Sequence, residues 1–254
     1  MSLYAHHLFL AILLGWQDVK DTYQRSTLGP LWITLGLAIQ VFTIGLVFGL
    51  IFRAELSTYL PFLTISLVIW NFLTSTVNES TNAYLNSSQI LKQMYVPAFF
   101  PVLRVVAKNV FIFVHNWTII VGGLIFSQIE LGADVLLVFP GLVLVVGVVY
   151  SVSTAAAIVS VRYRDIPPII ATGLMVSFYV TPIIWTPETI PQEFREFIVV
   201  FNPLYHLMEL VRAPLTGEMA SAANWLVTLG LLAFLGSVSG WMSRRYSWKI
   251  AYWL

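Results

Sequence analysis

The chain has 254 residues, 58% of them hydrophobic and 10% charged, with a formal net charge of +1 and no cysteine. Soluble domains carry about 25% charged residues, so an ordinary globular domain is excluded. The balanced charge makes no case for nucleic acid, and without cysteine there is no disulfide, thiol nucleophile or thiolate metal site.

The first element in chain order covers residues 3–26. Leu8, Ile12, Trp16, Val19 and Tyr23 recur at helical spacing, while Gln17, Asp18, Asp21 and Gln24 occupy other faces. The apolar stretch is too short to cross a bilayer, so the pattern predicts an amphipathic helix lying on the cytoplasmic membrane surface. Its apolar part, Leu8 to Trp16, has no basic n-region and no small-residue cleavage site, so it is not read as a cleaved signal peptide. Gly29-Pro30 then turns the chain.

Next comes the cleanest of six long apolar runs. Leu31 to Phe52 has no charge, and Gln40 is its only strongly polar side chain. At about 1.5 Å of rise per residue a run of this length crosses a hydrocarbon core of roughly 30 Å. The full set of predicted spans is 31–52, 59–78, 105–126, 135–160, 168–186 and 224–243. All are expected to be helices, because an isolated span satisfies its backbone in lipid only that way. The expected fold class is therefore all-α integral membrane: a single 1–254 transmembrane domain with six spans and an interface segment at 1–29.

Lys and Arg set the orientation. Lys20, Arg25, Lys92, Arg104, Lys108, Arg162, Arg164, Arg244, Arg245 and Lys249 fall on one side, and only Arg53, Arg195 and Arg212 on the other. Ten against three predicts both termini in the cytoplasm.

Two connections are unlike ordinary loops. Residues 83–103 hold Asn86-Ser87-Ser88 at one end and Pro97 and Pro101 at the other. Gln89 to Tyr95 between them suits a short helix with Ser87 or Ser88 as its N-cap. Its apolar members Ile90, Leu91, Met94 and Tyr95 leave two readings open, a solvated loop or a docking surface. Residues 187–221 are too apolar for a free outer loop, and Asn202-Pro203 splits them into two pieces too short to span. Two short helices that dip into the outer leaflet and return fit this pattern.

The chemistry of common enzymes is missing from the sequence. There is no G-x-x-x-x-G-K-[ST] phosphate loop and no H-E-x-x-H, and His6, His7, His115 and His206 do not cluster as metal ligands. Glu79, Asp134, Asp165 and Glu188 near span ends are scattered, and no predicted span has a carboxylate at its centre, where ion-coupled transport would favour one. A passive conduit driven from outside the chain is the expectation.

Polar residues inside the spans form stripes. Asn71, Ser75, Asn78 and Asn82 share one helix face. This stripe suits helix packing first, each bond worth ~1 kcal/mol, and after that a pathway for hydroxyl-rich cargo. Arg104, Lys108 and His115 share a face of the third span. Lys108 is placed to snorkel toward the cytoplasm or to meet an anionic head group. Trp32, Trp70, Trp117, Tyr179 and Trp185 are read as interface anchors or core, with sugar stacking as the alternative.

Four segments in order carry a resemblance. They are Asp18-Val-Lys-Asp-Thr-Tyr-Gln-Arg-Ser-Thr-Leu-Gly-Pro-Leu-Trp32, Arg162-Tyr-Arg-Asp-Ile166, Thr181-Pro-Ile-Ile-Trp-Thr-Pro187 followed by Ile190-Pro191, and Phe201-Asn-Pro-Leu-Tyr205. Together they resemble the ABC-2-type permeases of bacterial polysaccharide export, which include O-antigen, capsule and teichoic-acid transporters. The resemblance covers almost the whole chain and leans toward the O-antigen type.

That resemblance implies a homodimeric channel with two separate ABC ATPase subunits bound below, and a lipid-linked polysaccharide moved to the outer face of the bacterial inner membrane. This chain would hold no cofactor of its own, ATP and Mg being bound by the partner. Gln17, Asp18, Asp21, Arg25, Gln89, Lys92, Met94 and Tyr95 would couple to the ATPase. Asn71, Ser75, Asn78, Lys108, His115, Trp117 and Tyr179 are the candidates for the substrate pathway, and Phe194, Phe197, Asn202, Pro203 and Tyr205 for the outer gate. An ABC-2 exporter of a drug or small lipid, a membrane-embedded enzyme of lipid-linked sugars and a non-transporting scaffold remain as alternatives.

Overall fold

The computed structural model describes residues 3–22, 29, 31–93, 96–125, 127 and 129–254, and every regular element among them is helical. α1 covers Leu3–Thr22, α2 Leu31–Phe52, α3 Leu56–Ser80, α4 Ala83–Asn86 and α5 Ser88–Gln93. α6 covers Phe99–Ile125, α7 Val138–Arg162, α8 Ile166–Val180, α9 Gln192–Arg195, α10 Pro203–Leu215 and α11 Ala222–Trp253. A 3₁₀ turn at Ala133–Leu137 leads into α7, and a π-helical turn at Glu196–Val200 follows α9.

Five helices are long and apolar enough to cross a membrane: α2, α3, α6, α7 with its leading turn, and α11. α8 is apolar but has 15 residues, about 22 Å of helix. It ends at Val180, short of the predicted 168–186, because Pro182 lacks an N–H and restricts the residue before it. α3 and α6 start earlier than predicted, at Leu56 and Phe99. In α6, Pro101 sits in the first turn, where its missing N–H breaks no intrahelical bond. α11 runs ten residues past the predicted 243, to Trp253.

α3 is the hub. It packs against α2, α6, α7, α8 and α10, and 72% of its most apolar window is buried. Burying so many positions of one helix means hiding its hydroxyls as well. Thr64, Ser66, Thr74 and Thr76 each donate to the carbonyl four residues back, at 2.6–2.9 Å, which satisfies these four donors. Around α3 lies the main core, including Leu63, Ile65, Ile69, Phe72, Phe113, Val145 and Met208.

α2 touches this core along one stripe, Leu37, Val41, Gly45 and Gly49. A Cβ on Gly45 would stand 2.4 Å from Leu60 Cδ2, and one on Gly49 2.8 Å from Leu56 Cδ2. The G-x-x-x-G spacing, which lets membrane helices approach closely, is therefore used within this chain to seat α2 on α3. The α2–α3 turn is a Schellman ending, with Ala54 N–H donating to Gly49 C=O at 3.0 Å and Arg53 N–H to Leu50 C=O at 3.3 Å. Arg53 takes the left-handed position, φ 52°, that glycine usually fills; Gly217 fills the same position after α10, at φ 82°.

At the opposite end of the bundle a second cluster joins Tyr84 of α4, Val102 and Val106 of α6, Ala157, Ile158 and Val161 of α7, and Ile250 of α11. The outward faces of α2, α8 and α11 remain apolar, with Phe42, Leu50, Ile169, Met175, Leu226 and Phe234 all more than half exposed. In water this would be a liability; in a bilayer it is the expected surface.

Candidate functional site

Three regions gather polar side chains inside this apolar frame. The first is at the end that carries α4 and α5. α1 packs along α6 and closes on it at Gly15, where an added Cβ would meet Arg104 C=O at 2.8 Å and Lys108 N at 2.9 Å. This close approach puts Asp18 opposite Arg104, whose Nε and Nη2 donate to the carboxylate at 2.7 and 2.5 Å. Both side chains are about one quarter exposed, so the bidentate pair is stronger than an open surface bridge. One turn further along α6, Lys108 Nζ reaches both oxygens of Glu79 on α3 at 3.0 and 3.1 Å, and Asn109 donates to the same carboxylate at 3.2 Å. A recess of about 330 Å³ opens among Asp18, Asp21, Glu79, Asn86, Arg104 and Lys108.

Residues 3–22 are helical, docked on α6 through Ala11, Gly15, Asp18 and Val19. Gln17, Lys20 and Asp21 face outward, and so do the apolar Leu8, Phe9, Leu13 and Trp16. Arg25, Met94 and Tyr95 lie outside the described residues. α5 follows Ser87 and shows Gln89 and Lys92 at the surface, Lys92 Nζ donating to Leu254 C=O at 3.4 Å. Behind it Tyr84 donates its hydroxyl to Ala98 C=O at 2.9 Å. Burial, with nearby Tyr150 adding to it, holds that phenol well above its ordinary range.

The second region is a crevice of about 350 Å³ between α2, α3 and α8. Of the predicted pathway residues it collects Asn71, Asn78 and Tyr179, and it adds Gln40, Trp70 and Thr74. Ser75 is half-buried on the same helix but does not line it. Lys108, His115 and Trp117 lie elsewhere. Lys108 belongs to the Glu79 pair, Trp117 packs edge-on to Phe113 against the core, and His115 has a buried Nε2 with no partner among the described residues.

The third region is at the end with the α2–α3 turn. The break after α8 frees carbonyl groups that lipid could not satisfy. Side chains from two other helices take them up. Arg212 of α10 donates to Pro182 C=O at 2.6 Å, and Tyr59 of α3 to Ile184 C=O at 2.6 Å. Asn202 donates to Thr181 Oγ1 at 3.0 Å while its own oxygen caps α10, accepting from Leu204 and Tyr205 N–H.

Arg212 is only 2% exposed. Its charge is met by Glu209, three residues earlier, by Ser66 Oγ at 3.0 Å and by the Phe62 ring at 4.2 Å. His206, also buried, contacts Asn224 Oδ1 and Val200 C=O, each at 2.7 Å. Phe194, Phe197 and Phe201 are the exposed edge of this region, and Pro203 and Tyr205 begin α10. Neither Arg212 nor Glu209 was singled out by sequence pattern, Arg212 entering only as one of the three outer-side charges. Their i, i+3 spacing among Leu207, Met208, Leu210 and Val211 was the signal for an ion pair on an otherwise buried helix.

Among the described residues no three His, Asp or Glu side chains gather as a metal-binding group. The family described as ABC-2 type transporter matches residues 10–216. The chain is similar to an O-antigen export system permease protein of Klebsiella pneumoniae, 25% identical over 207 residues that cover 77% of this chain and 75% of the relative. It is also similar to the protein of that name from Myxococcus xanthus, 26% identical over 207 residues, covering 80% and 79% of the two chains.

Proposed function

Because this chain belongs to the ABC-2 type transporter family, we propose that it is the transmembrane permease subunit of an ATP-driven exporter, and that its cargo is a lipid-linked polysaccharide of the O-antigen or capsule type. The observation that carries this reading is the crevice between α2, α3 and α8. It lines part of an apolar protein with the amides of Gln40, Asn71 and Asn78, the hydroxyl of Thr74 and the rings of Trp70 and Tyr179. Amides and hydroxyls suit the hydroxyls of sugars, and aromatic faces suit their apolar sides. The relatives named for O-antigen export support the choice of cargo.

In this reading two copies of the chain form one channel, and a separate pair of ABC ATPase subunits binds and hydrolyses ATP with Mg. All of 1–254 is one membrane domain in the inner membrane with both termini in the cytoplasm, as the ten-to-three charge bias supports. α8 with the unwound residues 181–186 is the sixth crossing. Its irregular part is tolerated because Arg212, Tyr59 and Asn202 satisfy the backbone and side chain there. α9, the π-helical turn and α10 form the outer gate, with Phe194, Phe197, Asn202, Pro203 and Tyr205 at its edge.

The work of the ATPase would enter through α1 and α5. Gln17, Asp21, Gln89 and Lys92 are exposed and form its landing face, and the family resemblance assigns Arg25, Met94 and Tyr95 to the same coupling role. A displacement of α1 would reach α6 through Asp18–Arg104, and α3 through the packing of α6 along it. Transport requires that the two states of the ATPase bias two arrangements of these helices.

Co-purification from the native membrane tests the reading. An ABC ATPase and a lipid-linked glycan are expected with the chain, and its deletion should trap the glycan inside the cell. Normal surface polysaccharide after deletion would instead favour an exporter of a drug or small lipid. Turnover of a lipid-linked sugar by the isolated chain would point to an enzyme.

A further inference from the structure

On the far side of α2 from the crevice lies a recess of about 510 Å³ between α2, α3 and α6, in the half of the bundle nearer the α2–α3 turn. Among the described residues no charged one lines it. Four hydroxyls do, and each is already committed as a donor. Thr34 donates to Asn116 Oδ1 at 3.2 Å, Ser57 to Glu55 Oε1 at 2.7 Å, Thr64 to Leu60 C=O at 2.6 Å, and Thr118 to His115 C=O at 2.9 Å. The wall therefore offers a ligand no free hydroxyl proton, and an ordered water needs about three polar partners.

A helix with its side chains is about 10–12 Å across, so a second helix laid along the recess would enter it only with side chains. Leaving it empty forfeits dispersion contacts along three helices. It also opens onto the exposed apolar surface: Phe42, one of its lining residues, is 66% exposed, beside exposed Ile39 and Leu46 on the same helix. Gly122 keeps it open, with nothing within 4 Å of where a Cβ would stand.

We infer that this recess is a binding site for one acyl chain of a phospholipid from the surrounding bilayer, seated between α2, α3 and α6. The neutral, hydrogen-bond-satisfied wall matches a hydrocarbon chain in polarity, and the membrane supplies that chain at the recess mouth. Hydrocarbon already surrounds the protein, so retention comes from close packing rather than from escape from water. The lipid fills the angle between α2 and the α3–α6 pair and holds α2 at its spacing.

The test uses the full chain in vesicles of phosphatidylethanolamine and phosphatidylglycerol carrying a photoactivatable group within the acyl chain. Adducts are expected to concentrate on residues 34–42 and 118–123. Gly122→Leu and Ala38→Leu fill the recess from opposite walls, and each should lower those adducts to the level seen at exposed Phe234. Gly230→Leu, on α11, should leave them unchanged, and using both walls guards against one variant misfolding. The inference is overturned if adducts spread evenly over α2, α8 and α11, or if the filling variants label like the parent. It is equally overturned if Phe42→Cys cross-links efficiently to a second copy, since protein would then cover the recess.

Discussion

The Arg212 guanidinium of α10 donates to the Pro182 carbonyl at 2.6 Å, thirty residues away in sequence. This one bond joins the unwound end of α8 to the short helix pair behind it. It exists because a proline ended α8 inside an apolar protein and left a carbonyl that had to be satisfied.

Removing that guanidinium should therefore have two effects. Arg212→Met leaves Glu209 charged and nearly buried, and leaves Pro182 C=O without its donor. Breaking one partner of a buried pair costs about 3–5 kcal/mol. The purified variant should lose thermal stability by that order, and Glu209→Gln added to it should recover a substantial part. A double variant no more stable than Arg212→Met would refute the pairing.

The Asp18–Arg104 contact predicts how α1 moves. Arg104→Gln removes two charge-assisted hydrogen bonds at a partly buried site, worth roughly 1–2 kcal/mol after allowance for solvent. Amide hydrogen exchange in α1 should accelerate, while exchange in α3 stays near the parent. Equal exchange in α1 would mean that Gly15 and Ala11 packing alone holds the helix.

Glycine at the α7–α10 crossing gives a third prediction. A Cβ on Gly141 would lie 2.7 Å from Leu210 C=O, a backbone atom that cannot swing aside. Gly141→Ala should destabilise the protein by about 1–3 kcal/mol through overpacking. Gly230→Ala, with open space around the new methyl, should be neutral or slightly stabilising in the same thermal assay.

The crevice is tested by changes that keep shape but remove polarity. Asn71→Leu and Asn78→Leu should fold normally, since both are only half-buried, and should lower export of surface polysaccharide. Lys108→Met should act differently. It leaves the partly exposed Glu79 with Asn109 as its remaining partner, so it should reduce stability modestly, and Lys108→Met with Glu79→Gln should restore stability together with export. Export lost in that stable double variant would return Lys108 to the pathway.

Arg53 offers a stabilising change. It holds a left-handed φ of 52° in the α2–α3 turn, which costs a residue with a Cβ roughly 1–2 kcal/mol. Arg53→Gly should raise the melting temperature, because glycine adopts that conformation freely. No change would mean that the Arg53 side chain has contacts that compensate.

Much of this protein was legible in its sequence for one reason: in lipid the backbone must satisfy itself, so long uncharged runs become helices. The run from Leu31 to Phe52 became α2 without a residue's change, and Asn202-Pro203 marked both the break and the cap that starts α10. Helical spacing likewise put Asn71 and Asn78 on one face, the face that lines the crevice. What the sequence could not determine was which polar residue meets which. Lys108 looked like a snorkelling cation until α3 brought Glu79 to it, and Arg212 counted only as an outer-side charge until α10 folded inward against Ser66, Phe62 and Pro182. Periodicity assigns a side chain to a face of its own helix. Only the packing of that helix against others, distant in sequence, decides whether the face meets lipid, a core or an opposite charge.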